Sequence, residues 1–215
     1  MPPAFDIRIT DMKRLLVATS NQGKLRDFAA AASLMGIQIA GVPDFKAIPE
    51  VVEDAPTFEG NAEKKAKHYS QYAPQEFVLA DDSGLEVEYL DGAPGIYSAR
   101  YASTPNHPNA TDAENNTKLL EMLAGVPESE RGARFVCAIA LAKDGQTVAT
   151  FRGTAPGRML KVPRGNGGFG YDPLFFFPSL NRTFAELTPE EKACVSHRGQ
   201  AFRKLLEWTE DSGLF

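Results

Sequence analysis

The 215-residue chain carries a formal net charge of −5, with 43% hydrophobic and 24% charged residues. Such a length and apolar content can bury one full-sized core, which excludes a disordered chain, and the scattered Lys and Arg residues offer no broad basic face to a nucleic-acid duplex. Cys137 and Cys194 form no C-x-x-C pair, and no apolar run approaches the roughly 20 residues of a membrane span, so a disulfide framework, a structural zinc site and a membrane protein are all unexpected. A reducing cytoplasm fits this cysteine usage.

Residues 1–12 read as an N-terminal extension ahead of a single domain, 13–215. Lys13 to Thr19 is a short apolar run, predicted as a strand, that enters the turn Ser20-Asn21-Gln22-Gly23. Lys24 to Met35 has strong helix formers with apolar residues at helical spacing. Ile37 to Val42 reads as a second strand, Pro43 to Pro56 as an acidic loop, and Phe58 to Tyr72 as an amphipathic, lysine-rich helix. Phe77 to Ala80 is a buried-type strand that is expected to end at Asp81-Asp82-Ser83-Gly84, with Leu85 to Leu90 as the next strand. Thr111 and Glu114 form a capping-box pattern that opens a helix to about Leu123. Arg134 to Ala142 and Thr147 to Gly157 flank Asp144-Gly145, a tight hairpin signal. Leu174 to Phe177 is a last strand, Thr188-Pro189 starts a helix, and Gln200 to Thr209 is a terminal helix. This order predicts an α/β protein with a central mixed β-sheet: parallel βα units early, a hairpin later, helices on the faces.

Several motifs carry chemistry, each with a plainer alternative. Thr19 to Lys24 lies between a strand and a helix, where backbone N–H groups and the helix dipole favour a phosphate, although an ordinary βα turn has the same pattern. It is not a P-loop, because the first glycine and the Ser or Thr after the lysine are absent. Asp81 and Asp82 are costly side by side beyond an apolar strand unless a cation compensates; magnesium is the natural one, and a surface turn is the alternative. Glu53 adds a further carboxylate in a loop, and Asn61 and Lys65 share a helix face four residues apart. Gly165 to Gly170 spells G-x-G-x-x-G but runs into a strand rather than a helix, so it is not a dinucleotide fingerprint. It presents Phe169 for stacking and Asp172 as an acceptor. Ser196-His197-Arg198-Gly199, expected between two helices, sets an imidazole beside a guanidinium, with Lys192 just upstream; no G-x-S-x-G nucleophile elbow accompanies it.

As an ordered set, TSNQGK, TFEGNAEKKA, LADDSGLEVEYLDGAPGIYSARYA, GNGGFGYDPLFF and ELTPEEKACVSHRGQA resemble the inosine triphosphate pyrophosphatase family, in its bacterial dITP/XTP pyrophosphatase branch, from Leu15 to Leu206. The resemblance implies Mg2+-assisted hydrolysis of ITP, dITP and XTP to monophosphate and pyrophosphate, removing deaminated purines from the nucleotide pool. It also implies an elongated two-lobed fold with the cleft between the lobes, and a homodimer. By matching positions, Asp82 is the general base, and Glu53, Asp82 and Asp81 hold the metal. Thr19, Ser20, Asn21, Gln22, Gly23, Lys24 and Lys65 bind the triphosphate, and Ser83 contacts the nucleotide beside the metal. Phe169, Gly170, Tyr171, Asp172, Lys192, His197 and Arg198 form the base pocket, with Arg100 nearby. Ser20 departs from the family, which commonly has glycine there. A broader-specificity nucleotide phosphohydrolase is the competing expectation.

Overall fold

The computed structural model describes residues 14–34 and 36–212; the extension read at 1–12 lies outside them, as do Lys13, Met35 and residues 213–215. The first half is two βα steps: β1 (Arg14–Val17), α1 (Gln22–Leu34), β2 (Gln38–Gly41), α2 (Phe58–Ser70) and β3 (Val78–Val87). Then come α3 (Asp112–Met122), the hairpin β4 (Gly132–Lys143) and β5 (Gln146–Met159), the short β6 (Phe175–Phe177) and β7 (Arg182–Thr183), and the helices α4 (Pro189–Val195) and α5 (His197–Asp211). All seven strands form one sheet in the order β2-β1-β3-β4-β5-β6-β7. β1 is parallel to β2 and β3, and the pairs from β3 onward are antiparallel, which is the mixed sheet expected.

The chain leaves β1 toward β2 on one side and returns to β3 on the other, so strand order reverses at β1/β3. A crevice opens beyond the carboxyl ends of the strands at such a point. Alternation along the strands splits the core between the two faces. Leu15, Val17, Leu79, Cys137 and Ile139 pack with Phe28 of α1 and Phe202 and Leu205 of α5. Leu16, Val78, Ala80, Ala138 and Ala140 face Phe58, Ala62 and Ala66 of α2, where small residues on both sides let the helix lie close to the sheet. A third cluster, with Leu85, Leu119, Phe135, Phe175 and Phe184, gathers α3, β6 and the 3-10 turn after β7 around the far ends of the long strands. The long strands thus contribute to all three clusters along their length. No helix among the described residues is long and apolar enough to cross a membrane.

Local signals succeed where the cause is local. Asp144 and Gly145 both adopt positive φ (49° and 78°), as a two-residue hairpin requires, and the capping box at Thr111 and Glu114 forms. Two expectations fail. The acidic tetrad is not beyond a strand end: β3 continues through it, with Asp81, Asp82, Ser83 and Gly84 opposite Ile139, Ala138, Cys137 and Val136. An unbroken antiparallel ladder from β4 overrides the local turn preference. The strand expected over Leu85 to Leu90 is the tail of β3, ending at Val87 before a 3-10 turn, Glu88–Leu90. Gly84 serves close approach rather than a turn, since a Cβ there would collide with the Gly95 carbonyl and the Ser98 hydroxyl. The second failure is at the last helix, which begins at His197 rather than Gln200; Ser196 alone separates α4 from α5 and caps the latter by accepting from Gly199 N (3.1 Å).

Candidate active site

The crevice at the β1/β3 switch has two adjoining halves that share Asn21, Lys24, Ser83 and Ala99. One is polar, lined by Thr19, Ser20, Glu53, Lys65, Asp81, Asp82 and Arg100 among others. The other is walled by Phe135, Phe169, Gly170, Tyr171, Asp172, His197 and Arg198. A phosphate chain suits the first and a planar base the second.

Because β3 is continuous, Asp81 and Asp82 point to opposite faces of the sheet. Asp82 faces α2. Asn61 Nδ2 donates to its Oδ2 (3.0 Å), Ser83 N donates to its Oδ1 (2.9 Å), and Lys65 Nζ lies 3.8 Å away. Lys65 is itself bound to Glu53 Oε2 at 2.8 Å, so one ammonium sits between two carboxylates. Burial raises the Asp82 pKa above the ordinary carboxylate value, partly opposed by Lys65, Lys24 and the Asn61 bond. Burial disfavours the Lys65 charge, but Asp82, Asp81 and Glu53 outweigh it and raise its pKa.

Asp81 faces α1 and α5. Its Oδ2 takes Lys24 Nζ at 2.9 Å and the Ser83 hydroxyl at 3.1 Å, with Arg198 Nε at 3.6 Å. Burial works against its charge, yet Lys24, Arg198 and Lys65 together hold its pKa at about 2. Neighbours in sequence are therefore opposite in character. Asp81 is a firmly ionised anchor, while Asp82 is a carboxylate whose charge is costly.

Arg198 Nη2 donates to Ser83 Oγ (2.7 Å) and Nη1 to Asp27 Oδ2 (3.0 Å). Lys192 Nζ binds Asp172 at 2.6 Å and lies over the Phe169 ring, 4.8 Å from its centroid. His197 is buried and stacked on Phe135, with centroids 4.8 Å apart at 11°. Burial first, then Arg198, Lys192 and Lys24, push its pKa well below the imidazole value, so the ring is neutral, and its Nδ1 has no partner among the described residues.

The expected residues converge, with exceptions. Gln22, Gly23 and Lys192 do not line the cleft: Gln22 is exposed in the first turn of α1, Gly23 lies beneath Phe169, and Lys192 stands behind Asp172. Asp172 lines the slot with its Oδ2 taken by Lys192 and Phe169 N (2.9 Å), so its remaining acceptor is Oδ1. The backbone cradle expected at α1 is also reduced. Asn21 caps the helix, its Oδ1 accepting from Gly23 N and Lys24 N (2.8 and 3.1 Å), so those N–H groups are already satisfied. Arg100 lines the polar half rather than the base half, where Nη2 donates to the Glu53 carbonyl (3.3 Å). Asp27 and Phe135 were missed. Asp27 stands one helical turn past Lys24 and was detectable by that spacing; Phe135, an apolar strand residue, gave no signal.

Among the described residues no group of three His, Cys, Asp or Glu side chains is placed to hold a metal. The donors nevertheless fit a hard divalent ion. Glu53 and Asp82 converge on one point, now held by the Lys65 ammonium, and magnesium takes only one or two protein carboxylates when phosphates and water complete its shell. Around the polar half the cations Lys24, Lys46, Lys65 and Arg100 are matched by Glu50, Glu53, Asp81 and Asp82, leaving no net positive charge for a triphosphate. An added cation would supply it.

The Ham1 family profile matches residues 15–208. Over 192 residues the chain is 50% identical to a dITP/XTP pyrophosphatase of Exiguobacterium sibiricum, covering 89% of this chain and 94% of that one. Its fold is similar to that of the Staphylococcus aureus Ham1 protein, with a TM-score of 0.76, 38% identity and coverage of 93% of this chain and 99% of the other. A HAM1 protein from Coxiella burnetii is similar to the same degree, with a TM-score of 0.77, 39% identity and coverage of 92% and 98%.

Proposed function

The chain belongs to the Ham1 family, and from that premise we propose that it hydrolyses non-canonical purine nucleoside triphosphates of the dITP and XTP type to the monophosphate and pyrophosphate. The observation that carries this reading is the pairing of the two half-clefts around Asp82. A buried carboxylate with a raised pKa stands in the phosphate half, and an aromatic slot with a neutral imidazole adjoins it.

Asp82 takes the proton of a water that attacks the α-phosphorus. The bond to the bridging oxygen breaks, and pyrophosphate leaves with its charge met by Lys65 and Lys24. Asn61 donates to one Asp82 carboxylate oxygen and Ser83 N to the other, which fixes the orientation of the carboxylate. Magnesium, held by Glu53 and Asp82, would neutralise phosphate charge and orient the attacking oxygen. Asp81 is assigned the separate task of anchoring Lys24 and Arg198 from the other face of the strand. Ser83, held between Arg198 and Asp81, contacts the nucleotide at the junction of the halves.

Base selection follows from hydrogen-bond polarity. A 6-keto oxygen accepts from the His197 and Arg198 side of the slot, whereas the 6-amino group of adenine leaves buried donors unpaired, a difference worth about 1–3 kcal/mol or roughly 5- to 150-fold. The test is product analysis with ITP, dITP, XTP, GTP and ATP, with and without magnesium. Pyrophosphate from ITP and XTP, little turnover of ATP, and loss of activity on chelation are expected. Equal rates on ATP and ITP, or release of orthophosphate, would refute the reading.

A further inference from the structure

The glycine loop 165–170 carries Phe169 over the base half, and Gly165, Gly168 and Gly170 all adopt positive φ (81°, 73° and 59°). Such a loop has few side chains to pack, so its position depends on its hydrogen bonds. On its own side it is tied by Gly167 N to the Ala185 carbonyl (3.0 Å) and Phe169 N to Asp172 (2.9 Å). Across the pocket mouth, both backbone groups of Gly170 are taken by α3. Gly170 N donates to Asp112 Oδ2 (2.6 Å), and Asn116 Nδ2 donates to Gly170 O (2.9 Å). Four residues apart, these side chains share one helix face.

α3 is in turn fixed to the opposite wall. Asn115 Nδ2 donates to the Ala99 carbonyl (3.1 Å), and its Oδ1 accepts from Ala102 N (2.8 Å). Ser98 and Ala99 of that wall line the base half, as does Asp112 itself. The first turn of α3 therefore spans the slot between Ala99 and Gly170 and sets its width.

We propose that Asp112 is a positioning residue, latching the 165–170 loop closed over the base with Asn116 as its second point. The proposal rests on reading the cleft as a purine nucleotide site, but the latch itself is measurable without any nucleotide. A carboxylate is the stronger acceptor for this bond, Asn can replace it in part, and Ala cannot.

The experiment combines amide hydrogen exchange on the free protein with steady-state kinetics on ITP, XTP and ATP, for Asp112→Ala, Asp112→Asn and Asn116→Leu. In Asp112→Ala, exchange over 167–170 should quicken about tenfold, equivalent to about 1.4 kcal/mol, with the rest of the sheet unchanged. KM for ITP should rise by a similar factor while kcat stays within about twofold, because the bond acts on loop position and not on the reacting atoms. Asp112→Asn should recover most of both effects, and Asn116→Leu should reproduce them in weaker form. Unchanged loop exchange in Asp112→Ala would overturn the latch. Quickened exchange without a KM change would overturn its role in binding, and equal damage from Asn and Ala would overturn the acceptor argument. If the wild-type protein turned over none of the nucleotides, the proposed function would fall, while the exchange data would still decide the latch.

Discussion

Asp81→Asn removes one charge from the most heavily compensated carboxylate of the cleft while keeping its shape. Against the effect of burial, Lys24 and Arg198 hold the folded pKa at about 2 against an ordinary 3.8, so ionised Asp81 contributes on the order of 2 kcal/mol to folding at neutral pH. A depressed carboxylate pKa gives stability that is full above about pH 4 and is lost as pH falls through about 2; by pH 3 about 1 kcal/mol of it should be gone. The variant also leaves Lys24 and Arg198 with less compensation, and breaking a buried pair from one side costs up to about 3–5 kcal/mol. Urea unfolding of both proteins at pH 6 and pH 3 measures the gap. We expect a gap of about 2–4 kcal/mol at pH 6, narrowing by about 1 kcal/mol at pH 3. A gap that stayed constant between the two pH values, or that was below about 0.5 kcal/mol at pH 6, would refute the assignment of Asp81 as an ionised anchor.

Asp82→Asn should lower kcat by about 10²–10⁴-fold, the usual range for a lost general base, with a much smaller effect on KM; a variant turning over near the wild-type rate would remove Asp82 from the chemistry. Since burial raises the Asp82 pKa and the base acts in its ionised form, kcat/KM should rise with pH through a value above the ordinary carboxylate range, and the Asn variant's residual activity should lack that limb. Gly23→Ala places a Cβ about 2.5 Å from the Phe169 ring. Helix propensity gains up to about 1 kcal/mol, so thermal stability should change little while KM rises as Phe169 is displaced; an unchanged KM would show that the ring position is immaterial to binding.

Much of the fold was legible because its causes are short-range. Asp144-Gly145 needs only its own backbone preference to close the β4/β5 hairpin, and Thr111 with Glu114 satisfies the first N–H groups of α3 within one turn. The site residues were legible as a set, because the resemblance spans nearly the whole described chain. Their division of labour was not. Phe135 looks like any apolar strand residue until β4 brings it beneath His197, and Asp27, one helical turn past Lys24, gains its Arg198 partner only when α1 packs against the start of α5.

The acidic tetrad shows where the boundary lies. Residue types alone determined that two adjacent carboxylates after an apolar run need compensation, and that Asn61 and Lys65 share one helix face. Local chemistry favoured a turn at Asp-Ser-Gly. The tertiary structure decided otherwise, because β4 offers an antiparallel partner from Val78 to Val87 and the ladder runs straight through. Once the strand is continuous, its two-residue period sends Asp81 to Lys24 and Arg198 and Asp82 to Asn61 and Lys65. Register is a property of the strand pair, so the opposite pKa shifts of these two neighbours could be set only by the assembled sheet.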